Sequence, residues 1–422
     1  MKTKSFFFTA GLCLMCFVYA QLGAQARSWT SAKGGSTFEG ELVAYDEASG
    51  KVTVNRGGKE MTFKQDLLSP ADVEYLKTEG VKLKPLEKPA SSVSSSSSSS
   101  SSGSKSSTKV ASVPDAIPPY DGKEADMSKP VKVFIMMGQS NMVGMAKIPS
   151  LTTYCKEKQK YPYLMDPQGN WVERKDVRCA MVTCNQNSGP LAPGFGAKNA
   201  IGVELGFGWV VGTAINDPVL LIKACIGNRS LGWDLLPPGT EPYDGEPGYR
   251  GTKEDPKGNG QIPAAGWYAG KQYDDDTANA KAALASLETH FPGAKGYEVA
   301  GFVMWQAEKD HGNPNHMKNY EKNLVQFIKS LRKDFNAPNA KFVCATLGEA
   351  VKGSGDLAME AQFAVDGESG KYPEFKGNVK TVYANPLSNG GSGNGHYGGD
   401  AGTYMNVGEA MGRAMVDLLG SK

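Results

Sequence analysis

A serine, Ser140, stands just behind the apolar run 131–137, broken only by Lys132, and two residues past a glycine, Gly138. A buried strand ending there aims the hydroxyl at the crevice beyond its carboxyl end, and the glycine lets the backbone turn sharply. A hydroxyl in that position becomes an acyl-accepting nucleophile once a base removes its proton. The plainer alternative is a serine that caps the following helix. The chain has only 4 histidines, so the search for a base is short. His290 closes an amphipathic helix before Phe291-Pro292, and His311 and His316 flank a loop and a helix start. His396 lies in Asn394-Gly395-His396-Tyr397-Gly398-Gly399, between the last apolar run and the last helical pattern. That is the same sheet edge as Ser140, although the loop alone also suits a solvated histidine. A serine and an imidazole brought together perform acyl transfer. With so few histidines and no Cys-x-x-Cys pair among the five cysteines beyond residue 26, no metal site and no cofactor are expected.

The elements that must position these groups are legible as two periodicities. Apolar runs at 131–137, 219–224, 299–305, 342–346 and 379–383 suit strands buried on both faces. Between them, Ala280, Ala283, Leu284 and Leu287 repeat at helical spacing, as do Met317, Tyr320, Leu324, Phe327, Ile328 and Leu331, opened by Asn315 as cap. Val407, Ala410, Met411, Ala414, Met415 and Leu418 mark a last helix. Five strands alternating with helices predict an α/β domain whose parallel sheet is covered on both sides.

The context of Ser140 goes beyond a glycine and a serine. Gly138-Gln139-Ser140-Asn141-Met142 resembles the first block of the SGNH hydrolases, in particular the sialate O-acetylesterase and acetylxylan esterase branch, carbohydrate esterase family six. Val203-Glu204-Leu205-Gly206-Phe207-Gly208, Gly227-Asn228-Arg229-Ser230-Leu231, Trp305-Gln306-Ala307-Glu308 and Gly395-His396-Tyr397 resemble further blocks in the family's order. The resemblance implies a three-layer, flavodoxin-like α/β/α domain with a five-stranded parallel sheet over 129–422. It implies Ser140 as nucleophile, His396 as general base and Glu308 as the acid that orients the imidazole. It further implies an oxyanion hole from the backbone N–H of Ser140, the Gly227-Asn228 turn and the side-chain amide of Gln306. Gln139, Asn141, Arg229 and Trp233 are expected to meet substrate. Two departures stand out: Ala307 replaces a usual glycine, and Gly393 occupies the position, three before the histidine, where the wider superfamily has Asp. Asp400 and Asp310 are the substitute acids. The expected reaction is removal of O-acetyl groups from a carbohydrate through an acyl-enzyme. The contrasting reading is a degenerate relative that binds glycans or envelope components without turnover; lipid or aryl esters are less favoured as substrates, since no long apolar lid is visible.

The rest of the chain bounds these readings. Its 422 residues exceed one ordinary domain, and 40% hydrophobic content supports a substantial core. Lys2 and Lys4, the apolar stretch 5–20 and Ala24-Gln25-Ala26 have the order of a secretory signal peptide, 1–26. The formal net charge of +2 includes both of those lysines, so the mature chain has no basic excess for nucleic acid. Nor does the mature chain hold an apolar run long enough for a membrane span. Between 91 and 107 stand fourteen serines, flanked by prolines. This composition predicts a disordered tether, 79–128. Before it, 27–78 carries short β-like runs at 39–45, 51–55 and 60–63. Arg27-Ser28-Trp29-Thr30-Ser31, Gly50-Lys51-Val52 and Leu68-Ser69-Pro70-Ala71-Asp72 resemble an SLA-homology type-one domain, which implies a small SH3-like β-barrel and attachment to the cell envelope. The expected location is secreted, periplasmic or at the cell surface. Five cysteines remain after export, and one bridge among Cys155, Cys179 and Cys184 is expected, with Cys225 and Cys344 as buried hydrophobes.

Overall fold

The structure, a computed structural model, describes residues 27–32, 37–46, 50–56, 59–78, 110–240, 267–389 and 393–420. The expected signal segment and the serine-rich stretch lie outside the described residues. The chain divides into two compact units after Gly103.

In the first unit, β1 (Arg27–Thr30), β2 (Thr37–Asp46), β3 (Lys51–Arg56) and β4 (Lys59–Lys64) pair antiparallel in sequence order. Val52 and Val54 point inward at period 2 and meet Trp29, Leu42, Tyr45, Leu68 and Leu76 in a small core. One further bridge joins Ser31 to Leu68. A helix that the sequence reading did not anticipate, α1 (Pro70–Thr78), follows. Its Asp72 accepts from the Arg27 guanidinium at 2.6 Å and from the Thr30 N–H at 2.8 Å, which fastens α1 to β1.

The second unit opens with β5 (Val131–Gly138), α2 (Ser140–Val143), α3 (Ile148–Lys156), β6 (Arg174–Met181) and β7 (Ser188–Leu191). Next come α4 (Val203–Ala214), β8 (Val219–Cys225), α5 (Lys271–Ala285), α6 (Leu287–His290) and β9 (Tyr297–Trp305). The chain ends with α7 (Pro314–Asp334), β10 (Lys341–Ala345), α8 (Leu357–Ala364), β11 (Val379–Val382) and α9 (Ala401–Gly420). The strands form a seven-stranded sheet in the order β11-β10-β9-β5-β8-β6-β7, with only β7 antiparallel. The five apolar runs are the contiguous strands from the β11 edge to β8. The expected five strands become seven because β6 and β7 extend the edge beyond β8. β6 carries Arg174, Lys175, Asp176 and Arg178, which break the apolar signal. Arg174 is nevertheless buried, because Asp176 at 2.5 Å and the Trp209 carbonyl at 3.1 Å take its guanidinium.

Each face of the sheet has its own core. Phe134 and Met136 pack with α3, α4 and α9, whereas Val133, Ile135 and Met137 pack with α5, α7 and α8. Asn313, not Asn315, caps α7: its side chain accepts from the N–H groups of Asn315 and His316, with Pro314 at the first helical position. The expected tether also ends earlier than its composition suggested. From Val110 the chain lies on this unit: Ala111 donates to the Ala214 carbonyl, Arg413 donates to the carbonyls of Val113, Pro114 and Asp115, and Ile117 is buried. The apolar residues between the prolines supply the burial that serines cannot.

Candidate active site

Strand order reverses between β5 and β9, because β6, β7 and β8 all lie on one side of β5, whereas β9, β10 and β11 build out on the other. The crevice at the carboxyl ends of two such strands is the usual ligand site of an open α/β sheet. Ser140 follows β5 there, and Glu308 follows β9. Gly138 has φ +150°, and a Cβ on it would overlap the carbonyl oxygen of Trp305. Two strand ends therefore approach closely only because this residue has no side chain. Gly138→Ala is expected to destabilise the unit by about 2 kcal/mol or more in urea unfolding, through strain and displacement of Trp305.

Gln139, Ser140, Gly227, Asn228, Glu308 and His396 line one cavity of about 440 Å³, joined by Lys309 and Gly312. The sequence reading had singled out neither of the last two. A larger cavity of about 550 Å³ lies elsewhere, beside Tyr120 and Arg174, and has no nucleophile with a base. Ser140 and His396, separated by 256 positions, thus share one wall-to-wall space. Both are half-buried, and among the described residues neither side chain has a protein hydrogen-bond partner. Catalytic contacts are commonly loose before substrate enters.

The turn after β8 runs against Ser140: a Cβ on Gly227 would sit 3.5 Å from the Ser140 Cβ. Asn228 adopts φ +59°, a left-handed conformation that asparagine tolerates better than most residues. Ser140 begins α2, so its N–H has no carbonyl a turn earlier within the helix to bond. Gln306 is a different matter. Its Nε2 donates to the Arg229 carbonyl at 2.9 Å and to Asp310 at 2.6 Å, and its Oε1 accepts from Tyr320 at 2.8 Å. Fully buried and committed on every atom, this amide does not reach the cavity. It braces the 227–232 turn from below. Ala307 is buried without a left-handed φ, so its extra methyl is accommodated.

The three candidate acids part company. Asp400 accepts from Thr403 N–H and Oγ1 and from the Tyr154 hydroxyl, which makes it the cap of α9. Asp310 is buried and accepts from the N–H groups of Leu231 and Gly232 and from Gln306. Only Glu308 lines the cavity with His396. Its Oε2 accepts from Gln139 at 2.5 Å and Asn141 at 3.2 Å, the residues on either side of Ser140. Its Oε1 is buried with no partner. Burial, and secondarily the neighbouring Glu349 carboxylate, pushes the Glu308 pKa up to about 7.

The histidine loop is held by aromatic packing. His396 and Tyr397 have φ of +51° and +53°, a left-handed pair that costs free energy and must be enforced by surroundings. The Tyr397 ring stacks on Trp305 at 5.6 Å and 10°, and its hydroxyl accepts from Gly348 N–H at 3.0 Å and from Asn141 at 3.4 Å. Burial lowers the His396 pKa below its ordinary value, favouring the neutral ring that a base requires. The other histidines are engaged elsewhere: His290 with Ser188, His311 with Asp356 and the Ala307 carbonyl, and His316 beside Asp310.

The residues expected to meet substrate are mostly internal. Asn141 is fully buried and bonds Glu308, Tyr397 and Tyr404; Gln139 bonds Glu308 and accepts from the Lys309 N–H. Both flank Ser140 and hold it in place through Glu308. Arg229 lies 4.1 Å over the Trp267 ring, near Asp234 at 3.8 Å, and like half-buried Trp233 does not line the cavity. Tyr268 and Tyr273 pack inward, bonding Asp274 and Asp334. A pair that sequence reasoning missed supports the short helix α2: Lys223 Nζ donates to Glu204 at 2.6 Å, to the Phe195 carbonyl at 2.5 Å, and at 2.9 Å to the carbonyl of Val143, the last residue of α2. Both side chains are fully buried. Cys155, Cys179 and Cys184 are unbridged, contrary to the expected bridge.

A family model described as carbohydrate esterase, sialic acid-specific acetylesterase, matches residues 130–417. No curated protein matches the chain. Among solved structures, it is similar to a protein from Arabidopsis thaliana, with 16% identity over 68% of this chain and 98% of that one and a TM-score of 0.41. It is also similar to a carbohydrate acetylesterase from Xanthomonas citri, with 10% identity over 92% of this chain and 68% of that one and a TM-score of 0.39. A third is NanS, with 14% identity over 62% and 79% and a TM-score of 0.36.

Proposed function

The chain belongs to the carbohydrate esterase family of sialic acid-specific acetylesterases, and from that premise we propose that it is an exported serine esterase removing O-acetyl groups from an oligo- or polysaccharide. The observation that carries the mechanism is the shared cavity of Ser140, Gly227, Asn228, Glu308 and His396. Ser140 Oγ attacks the acetyl carbonyl while His396 takes its proton. The negative charge that develops on the carbonyl oxygen meets the backbone N–H groups of Ser140 and Asn228, each worth roughly 3 kcal/mol to the transition state. Gln306 is not one of these donors in this reading, because its hydrogens are spent on Arg229 and Asp310. Collapse of the intermediate expels the sugar hydroxyl, protonated by His396, and leaves acetyl-Ser140. Water, deprotonated by the same imidazole, releases acetate. Glu308 serves as the acid that steadies the imidazolium, its Oε1 carrying no hydrogen bond of its own, while Oε2 holds the side-chain amides of Gln139 and Asn141 on either side of Ser140.

Two ionisations then govern activity, and both must lose a proton. The base sits below the ordinary histidine value and Glu308 near 7. We expect kcat/KM for an aryl acetate to rise with pH to a midpoint near 7, set by the later ionisation. In Glu308→Gln the rate falls, and the midpoint moves below ~6.5, to that of His396. An unmoved midpoint in that variant would reject the role given to Glu308. Labelling of Ser140 by a fluorophosphonate separates turnover from glycan binding without turnover, the second reading, which the engagement of the Gln306 amide by Arg229 and Asp310 favours. In the first unit, the resemblance to an SLA-homology domain supports attachment to the cell envelope.

A further inference from the structure

β6 and β8 are parallel neighbours, with Met181 opposite Lys223. The pairing continues past the end of β6, since Val182 N–H donates to the Lys223 carbonyl at 3.0 Å. Cys184 therefore runs beside Cys225, the last residue of β8, at the carboxyl edge of the sheet, and packs against the same apolar cluster that holds Cys225. Cys225 is buried; Cys184 is half-exposed. The other three cysteines are placed differently: Cys155 lies against the Tyr161 carbonyl, Cys344 bonds Thr381, and Cys179 is buried inside β6.

We infer that Cys184 and Cys225 form a redox pair, which an external disulfide such as oxidised glutathione converts into a bridge tying the segment after β6 to the turn that carries Asn228. The chemistry follows from the asymmetry of the two thiols. Cys184 is lowered to about 7, foremost by the neighbouring Cys225 thiol and also by the Lys223 charge, whereas Cys225 is held well above the ordinary thiol value. Exposed and partly ionised, Cys184 is the attacking sulfur. Its thiolate displaces one glutathione thiolate and forms a mixed disulfide with the other half. Cys225 then gives up its proton to the released thiolate and attacks the Cys184 sulfur, expelling the second glutathione thiolate. The two electrons lost by the cysteines reside on the two reduced glutathiones. The product anchors Cys225, two residues before the glycine that touches Ser140, to a neighbouring strand.

The test uses the full chain, reduced, freed of reductant and incubated with oxidised glutathione before alkylation and peptide mass mapping. A cross-linked Cys184–Cys225 peptide is expected, with alkylation of both cysteines falling about tenfold, while Cys155, Cys179 and Cys344 alkylate unchanged after denaturation. In Cys225→Ser the resolving sulfur is missing, so Cys184 should retain glutathione, and dithiothreitol should release it. Undiminished alkylation of Cys184, a glutathione adduct that persists on it in the unsubstituted chain, or a cross-link to a different cysteine each overturns the inference. None of these readouts depends on esterase activity, so the pair stands or falls separately from the proposed reaction.

Discussion

Ser140→Ala is expected to lower kcat for an aryl acetate by about 10⁴–10⁶-fold, to the level that binding and the backbone donors sustain alone. The size follows from the division of labour in the cavity. No other hydroxyl among the lining side chains can accept the acyl group, so the covalent route closes entirely. What remains is water attacking a carbonyl polarised by the N–H groups of residues 140 and 228. The fold should be indifferent to the change. Among the described residues the Ser140 hydroxyl bonds no protein group, so its removal orphans nothing, and stability should move by no more than ~0.5 kcal/mol. Paired measurements of acetate release and thermal unfolding distinguish this from collapse of the site. Activity retained within tenfold in a folded Ser140→Ala protein would end the acyl-enzyme proposal.

The largest expected loss of stability comes from Lys223→Met. Burial works against the ammonium charge, but the Glu204 carboxylate holds the lysine pKa above its ordinary value. Removing the lysine leaves Glu204 buried with only the Gly202 N–H, and frees the carbonyls of Val143 and Phe195. Breaking such a pair from one side costs about 3–5 kcal/mol, seen as a fall in the denaturation midpoint. Because Val143 ends the short helix that Ser140 begins, kcat should fall as well. The double variant Glu204→Leu/Lys223→Met should recover part of the stability, since no charge is then left unpaired. If the double variant is less stable than Lys223→Met alone, the uncompensated carboxylate is not the source of the loss.

Much of the fold was legible because five strands are greasy on both faces, which leaves a run in the sequence. The same reasoning placed Ser140 and His396 on one rim, since each follows a strand. It failed where burial is polar. β6 hides Arg174 inside through Asp176 and the Trp209 carbonyl, and α2 rests on a lysine embedded in the run 219–224, matched to a glutamate 19 positions earlier. No local pattern announces either partnership. Gln306 carried a second lesson. The segment Trp305–Glu308 marks the right neighbourhood, but whether an amide points at substrate depends on Arg229, Asp310 and Tyr320, which three other segments deliver. A motif names the group; its bonds decide the role. The cysteines repeat the point, since sequence proximity linked Cys184 to Cys179, whereas strand register brings it to Cys225.

Tyr397 links the loop of His396 to the interior and to the neighbourhood of Ser140. Its ring lies flat on Trp305, while its chain neighbour is His396 and its hydroxyl meets the asparagine next to Ser140. The geometry between base and nucleophile is thus inherited from the hydrophobic interior rather than from the surface loop. Mild heat or denaturant that loosens aromatic contacts on that face would scatter the two groups while the sheet still stands. Inactivation should then run ahead of global unfolding, and recover on cooling as that packing reforms.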